Sequence, residues 1–140
     1  MCLDLPKAHI PAAVRAVELW DKSLGNWKRV HADADYSWTS TLGCTVVVHE
    51  TTRSHPTVDN ALAWARMGGE VVWMKKGRYE MDVTGILLHE LGHIFGADHV
   101  PGTLMNAAWE PNTYLCPDRL TVMQVAAWQH ADLNLMSWCR

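Results

Sequence analysis

Three of the chain's eight histidines stand between positions 89 and 99, in the stretch HELGHIFGADH. On a helix, residues four apart share a face, so His89 and His93 present two imidazoles toward a common point. That bite suits a tetrahedral zinc ion, which binds imidazole nitrogen at roughly 2.0–2.1 Å. Glu90 stands next to the first imidazole and can reach a water on the metal without displacing it. Gly96 ends the helix and permits positive φ, so the chain can turn sharply and return His99 as a third ligand. Three protein ligands leave a fourth position open, which is the arrangement of a catalytic site rather than a closed structural one.

A structural zinc and plain coincidence compete with a catalytic zinc. A structural zinc usually recruits a fourth side chain, often cysteine, and no cysteine stands near this stretch. Chance supplies the pattern His-Glu-x-x-His-x-x-Gly-x-x-His in a chain of this length roughly once in ten thousand sequences. A catalytic ion is therefore the expectation. HETTRSH, from His49 to His55, also begins with His-Glu. Its histidines follow a β-branched run and precede Pro56, a loop context in which they read as surface residues rather than a second metal site.

These residues need elements to carry them. PAAVRAVELWDKSLG, Pro11 to Gly25, predicts a helix with Val14, Val17, Trp20 and Leu24 on one face. Trp27 to Tyr36 alternates weakly and Cys44 to Glu50 is β-branched, so both predict strands. TTRSHPTVDN predicts a loop, and after the Gly68-Gly69 break EVVWM predicts another strand. A helix is expected from an N-cap at Asp82 to a stop near Gly96, with Leu88, Leu91 and Phe95 at helical spacing. A connection to about Pro117 and a last helix over LTVMQVAAWQHADL complete the order, with Thr121 and Gln124 as its capping box.

HELGHIFGADH followed closely by GTLMN resembles the metzincin metallopeptidases, and the short step from His99 to Met105 is most similar to the matrixins. ALAWARMGGEVVWM resembles the segment that leads into their active-site helix, and LTVMQVAAWQHADL resembles their closing helix. The resemblance implies an α+β, zincin-like fold: a mixed twisted sheet with an N-terminal helix, an active-site helix and a C-terminal helix. It implies a zinc endopeptidase in which His89, His93 and His99 hold the ion and Glu90 is general base toward the zinc-bound water. Met105 would match the methionine that lies beneath the histidines in a Met-turn without ligating. A peptide substrate would extend along an edge strand at Glu70 to Met74. A pocket after the Met-turn, Asn106 to Pro117, would be walled by Trp109, Tyr114 and Leu115. A secreted or extracellular location also follows by resemblance.

There are departures. Trp64 stands in the Leu-Ala-x-Ala slot and no histidine occurs between Gly68 and Asp82. The family's structural zinc and calcium are therefore expected to be missing, with stability left to packing, to which eight tryptophans would contribute. No inhibitory propeptide or signal peptide is recognisable. Cys2, near the N-terminus, could in principle approach the metal, though a lone terminal cysteine is more often unremarkable.

The bulk numbers frame all this. A chain of 140 residues, nearly half of them apolar, is expected to form one domain over 1–140 with a substantial core. A net charge of −3 gives no electrostatic case for nucleic acid or anionic membrane. No apolar run is long enough to span a bilayer. The basic group Lys75, Lys76 and Arg78 reads as a solvated edge, and a monomer is expected. Cys2, Cys44, Cys116 and Cys139 fit two disulfides in any of three pairings, or four buried thiols. Two other function classes remain: a zinc-binding pseudo-enzyme without cleavage, and a metal-stabilised interaction protein that would unfold on chelation.

Overall fold

The computed structural model describes residues 1–33, 44–110 and 116–139. Four strands, β1 (Cys2–Asp4), β2 (Val47–Thr51), β3 (Ala63–Ala65) and β4 (Val71–Lys75), make one sheet in the order β1-β2-β4-β3. β1, β2 and β4 run parallel, and β3 pairs antiparallel with β4 through Trp64 opposite Trp73. Among the described residues three α-helices accompany the sheet: α1 (Ile10–Leu24), α2 (Val83–Phe95) and α3 (Arg119–Gln129).

Alternation decides which side of the sheet is core. Leu3, Val48, Val72 and Met74 point inward and are fully or almost fully buried, whereas Trp73 points outward. α1 lays Ala13, Ala16, Val17, Trp20 and Leu24 against the core, much as its periodicity predicts. Pro11 stands in its first turn, and Gly25 closes it at φ 56°. The Trp20 indole N–H donates to the Leu88 carbonyl at 2.8 Å, and its ring meets Phe95 at 5.2 Å, so α1 braces α2. Nearly every residue of α2 is buried, as befits a helix at the centre of a domain.

Several expectations change here. Glu70 to Met74 is not an edge: β4 is paired on both sides, and the edge next to it belongs to β3. The reason is the turn at Gly68, φ 66°, where the Gly69 N–H donates to the Arg66 carbonyl and folds Ala63–Ala65 back outside β4. Up to Asp33, the segment predicted as a strand from Trp27 makes only an isolated bridge to Cys2; residues 34–36 lie outside the described ones. β1 is an addition to the predicted strands, its three residues being too few to show a period. α3 is capped not by Thr121 but by Asp118, whose carboxylate accepts the Thr121 N–H at 3.1 Å. Thr121 is buried three residues inside, and its hydroxyl donates to the same carboxylate at 2.9 Å.

Cysteines pair as Cys2–Cys44 and Cys116–Cys139, with Cα atoms 5.8 and 6.0 Å apart. Cys2 is thereby committed to the sheet and is no candidate metal ligand. Among the described tryptophans only Trp20 is fully buried; Trp73, Trp109, Trp128 and Trp138 are each more than a third exposed. The core is instead mostly aliphatic, with Trp20, Tyr79 and Phe95 among it, one cluster that joins α1, the sheet's inner face, α2 and α3. No helix among the described residues is long and apolar enough to cross a membrane.

Candidate metal centre and cleft

α2 starts and stops where its sequence says it should. The Asp82 carboxylate accepts the Gly85 N–H at 3.0 Å, and Gly96 leaves the helix at φ 110°. In that left-handed conformation the Ala97 N–H returns to the Gly92 carbonyl at 2.8 Å, and the chain reverses toward His99. A side chain at Gly96 would be strained by φ and would also strike Trp128, whose Cγ lies 2.2 Å from where a Cβ would stand.

The reversal brings three imidazoles together. Their ring centres lie 4.8 to 5.4 Å apart, and one ligand atom from each can be chosen so that all lie within 4.8 Å of one another. Nδ1 of His89 donates to the Leu104 carbonyl and Nδ1 of His93 to the Ala97 carbonyl, both at 2.8 Å. Those bonds leave Nε2 of each ring bare and aimed inward. Nε2 of His93 and Nε2 of His99 are 3.1 Å apart. Two imidazoles on one tetrahedral zinc, at roughly 2.0–2.1 Å each, would place their nitrogens about 3.3 Å apart.

Electrostatics agree with a cation. Burial, with the neighbouring imidazoles His93 and His99 adding to it, lowers the His89 pKa to about 4, so the ring is neutral and free to ligate. Burial also lowers His93. Glu90 is almost fully buried, its Oε2 lacks a hydrogen-bond partner among the described residues, and burial raises its pKa to about 8. An orphaned carboxyl oxygen beside three converging imidazoles fits a site built around a cation and its water. The donor set therefore fits zinc. Met105 is fully buried directly below α2: a Cβ on Gly92 would lie 2.5 Å from its Sδ, so Gly92 makes room for it.

The histidines open onto a cleft of about 650 Å³. The edge strand β3 forms one wall, and the first turns of α2 with Asn106 to Glu110 form another. The Trp109 indole N–H donates to Asp82 at 2.9 Å, tying that wall to the helix cap. Val58, Met81 and Trp109 are exposed along the cleft, giving it apolar lining. Tyr114 and Leu115, expected as further lining, lie outside the described residues. Arg78, predicted on a solvated edge, also lines the cleft, with its guanidinium donating to Asn60 at 2.8 Å. His49 is bound to Asp4 at 2.8 Å and stacks on Trp73, while Nδ1 of His55 accepts the N–H groups of Thr57 and Val58. These two do not join in a metal site; His89, His93 and His99 form the only such group among the described residues.

One support of the site is only half legible in the sequence. The Leu104 N–H donates to Asp118 at 2.7 Å, so the cap of α3 also holds the residue whose carbonyl orients His89. Asp three residues before Thr121 is a legible cap signal; its second role is not, because Leu104 is distant in sequence.

The architecture is that of an α+β, zincin-like protein. The fold matches archaemetzincin from Methanopyrus kandleri with a TM-score of 0.59 over 92% of this chain and 94% of that one, at 16% identity. Archaemetzincin from Archaeoglobus fulgidus, complexed with malonate, matches at 0.51 over 88% and 96%, at 14% identity. No protein-family model matches the chain, and neither does any curated protein sequence.

Because the core is continuous and two disulfides tie distant segments, the fold is expected to persist without an ion. Chelation is expected to remove activity while leaving most of the far-ultraviolet circular dichroism at room temperature. Loss of the helical signal on chelation would make the metal structural.

Proposed function

We propose that residues 1–140 form the catalytic unit of a zinc-dependent metalloendopeptidase of metzincin type that hydrolyses extended peptides. One observation carries the reading: three imidazoles, two of them with Nδ1 engaged by backbone carbonyls, converge beside a buried glutamate at the floor of an open cleft. His89, His93 and His99 would hold the ion. Bound there, zinc supplies Lewis-acid polarisation of the scissile carbonyl and a lowered pKa for the attacking water. Glu90 accepts the water's proton at its carboxylate and returns it to the leaving amine. A neighbouring cation favours that carboxylate and opposes the upward shift caused by burial. Met105, in the role of the Met-turn methionine, supports α2 beneath the histidines without ligating.

The peptide would lie along β3, adding a strand at Ala63–Ala65 by main-chain hydrogen bonds. The matrixin likeness and the two disulfides support a secreted or extracellular location. A single catalytic zinc follows from the three histidines, and the departures from the matrixin pattern, Trp64 and the lack of histidine between Gly68 and Asp82, support the reading that structural zinc and calcium are missing.

Specificity follows from the cleft wall. Val58, Met81 and Trp109 offer apolar surface, and burying a leucine-sized side chain yields about 1.5–3 kcal/mol. Burying an unpaired charge there costs more than that. Digestion of a diverse peptide library, read by mass spectrometry, is expected to show cleavage before leucine, methionine and bulky aliphatic residues. Discrimination among them should be weak, since one methylene is worth about 1–3 kcal/mol. Cutting before lysine or arginine would instead assign the selective wall to Glu110 and Asp59, which also line the cleft. A library left uncut by the zinc-loaded chain would end the peptidase reading.

A further inference from the structure

Two of the three imidazoles rise from the buried helix α2, but His99 stands on an exposed connection beyond its end. A metal ligand contributes fully only when its backbone is held within a fraction of an ångström. The hold on this one comes from α3. The backbone N–H of Asp98 donates to Oε1 of Gln124 at 3.1 Å, and Nε2 of Gln124 donates to the Asp98 carbonyl at 3.1 Å. One side-chain amide thus grips the peptide groups on both sides of the Asp98 Cα. The peptide that leads into His99 is held at its other end as well, since the His99 N–H donates to the Asp98 carboxylate at 2.8 Å.

The same side of α3 supports the preceding residues. Trp128, four residues on from Gln124, fills the space beside Gly96, and the Gln129 amide donates to the Phe95 carbonyl at 3.0 Å. Segment 95–98 is therefore backed by α3 along its length, and Gln124 is the contact nearest the ligand. Only a side chain with one donor and one acceptor at this reach can serve both Asp98 groups; glutamate accepts but cannot donate, and alanine does neither.

We propose that Gln124 is a positioning residue of the metal centre: it fixes the backbone that presents His99 and so raises zinc affinity without touching the ion. This rests on the zinc reading of the three histidines and goes beyond it by naming what holds the third. Partners that orient ligands in this way typically alter metal affinity ten- to a hundredfold.

The test is zinc competition against a chromophoric chelator, with the full chain, its Gln124→Ala and Gln124→Glu variants, and His99→Ala alone and combined with Gln124→Ala. Metal-free melting curves are recorded beside each. Gln124→Ala is expected to bind zinc about ten- to a hundredfold more weakly with little change in metal-free Tm, because its two bonds are at the surface. Gln124→Glu, which keeps size and one bond, should fall between, and it carries the comparison if the alanine variant does not fold. In a His99→Ala background, Gln124→Ala should have no further effect on zinc affinity, since its action runs through His99. Unchanged zinc affinity in both variants, or an equal loss with and without His99, would overturn the proposal. A parental chain that binds no zinc at all would instead overturn the three-histidine reading on which it stands.

Discussion

Glu90→Ala is expected to retain zinc and fold while losing at least about two orders of magnitude in rate, the usual scale of general acid–base catalysis. The three imidazoles could hold the ion without this carboxylate, so its removal leaves that group intact. Its loss should not unfold the chain either. Burial raises the Glu90 pKa from 4.5 to about 8, so the metal-free folded state binds this proton more tightly than the unfolded one. Between those values ionisation of the unfolded chain opposes folding, increasingly as pH rises. Alanine removes that opposition, although it also vacates some packing volume. The metal-free variant should therefore melt close to the parent at neutral pH. Peptide turnover at matched zinc occupancy, with melting curves alongside, checks both parts. An active Glu90→Ala enzyme would sink the general-base mechanism.

His93→Ala carries the second large effect. His93 is buried, its Nδ1 is held by Ala97, and its Nε2 lies close to that of His99, so it links the helical ligand pair to the loop ligand. Without it, two imidazoles remain on a site built for three protein ligands, and two ligands seldom retain zinc against solvent. Metal analysis after dialysis is expected to fall from about one zinc per chain to almost none. The Ala97 carbonyl would lose its partner, which costs some stability, but the aliphatic core below is unaffected. Full zinc occupancy in His93→Ala would remove the proposed site.

The parts of this site readable from sequence are those governed by local periodicity. The spacing of His89 and His93, the Asp82 cap and the Gly96 exit depend on neighbours within one or two turns, so a helix of known pitch determines them. The same holds for α1, whose apolar face and terminal glycine are both local features, and for the strands at Val47–Thr51 and Val71–Lys75. Tertiary structure decided whatever depends on which segments meet. Whether β4 or β3 forms the free edge depends on a fold-back at Gly68 that strand propensity does not encode. Pairing of Cys2 with Cys44, and of Cys116 with Cys139, depends on through-space distances that leave three connectivities equally open in the sequence. Asp118 reads locally as a helix cap, but only the packed chain turns its second oxygen toward Leu104 and hence toward His89. Gln124 reads as half of a capping box and instead grips Asp98, because the end of α2 is packed against the middle of α3. The candidate ligands are legible because a helix aligns His89 with His93 and a glycine exit returns His99 within a few residues; what holds them in place is not, because those partners converge only when the core closes.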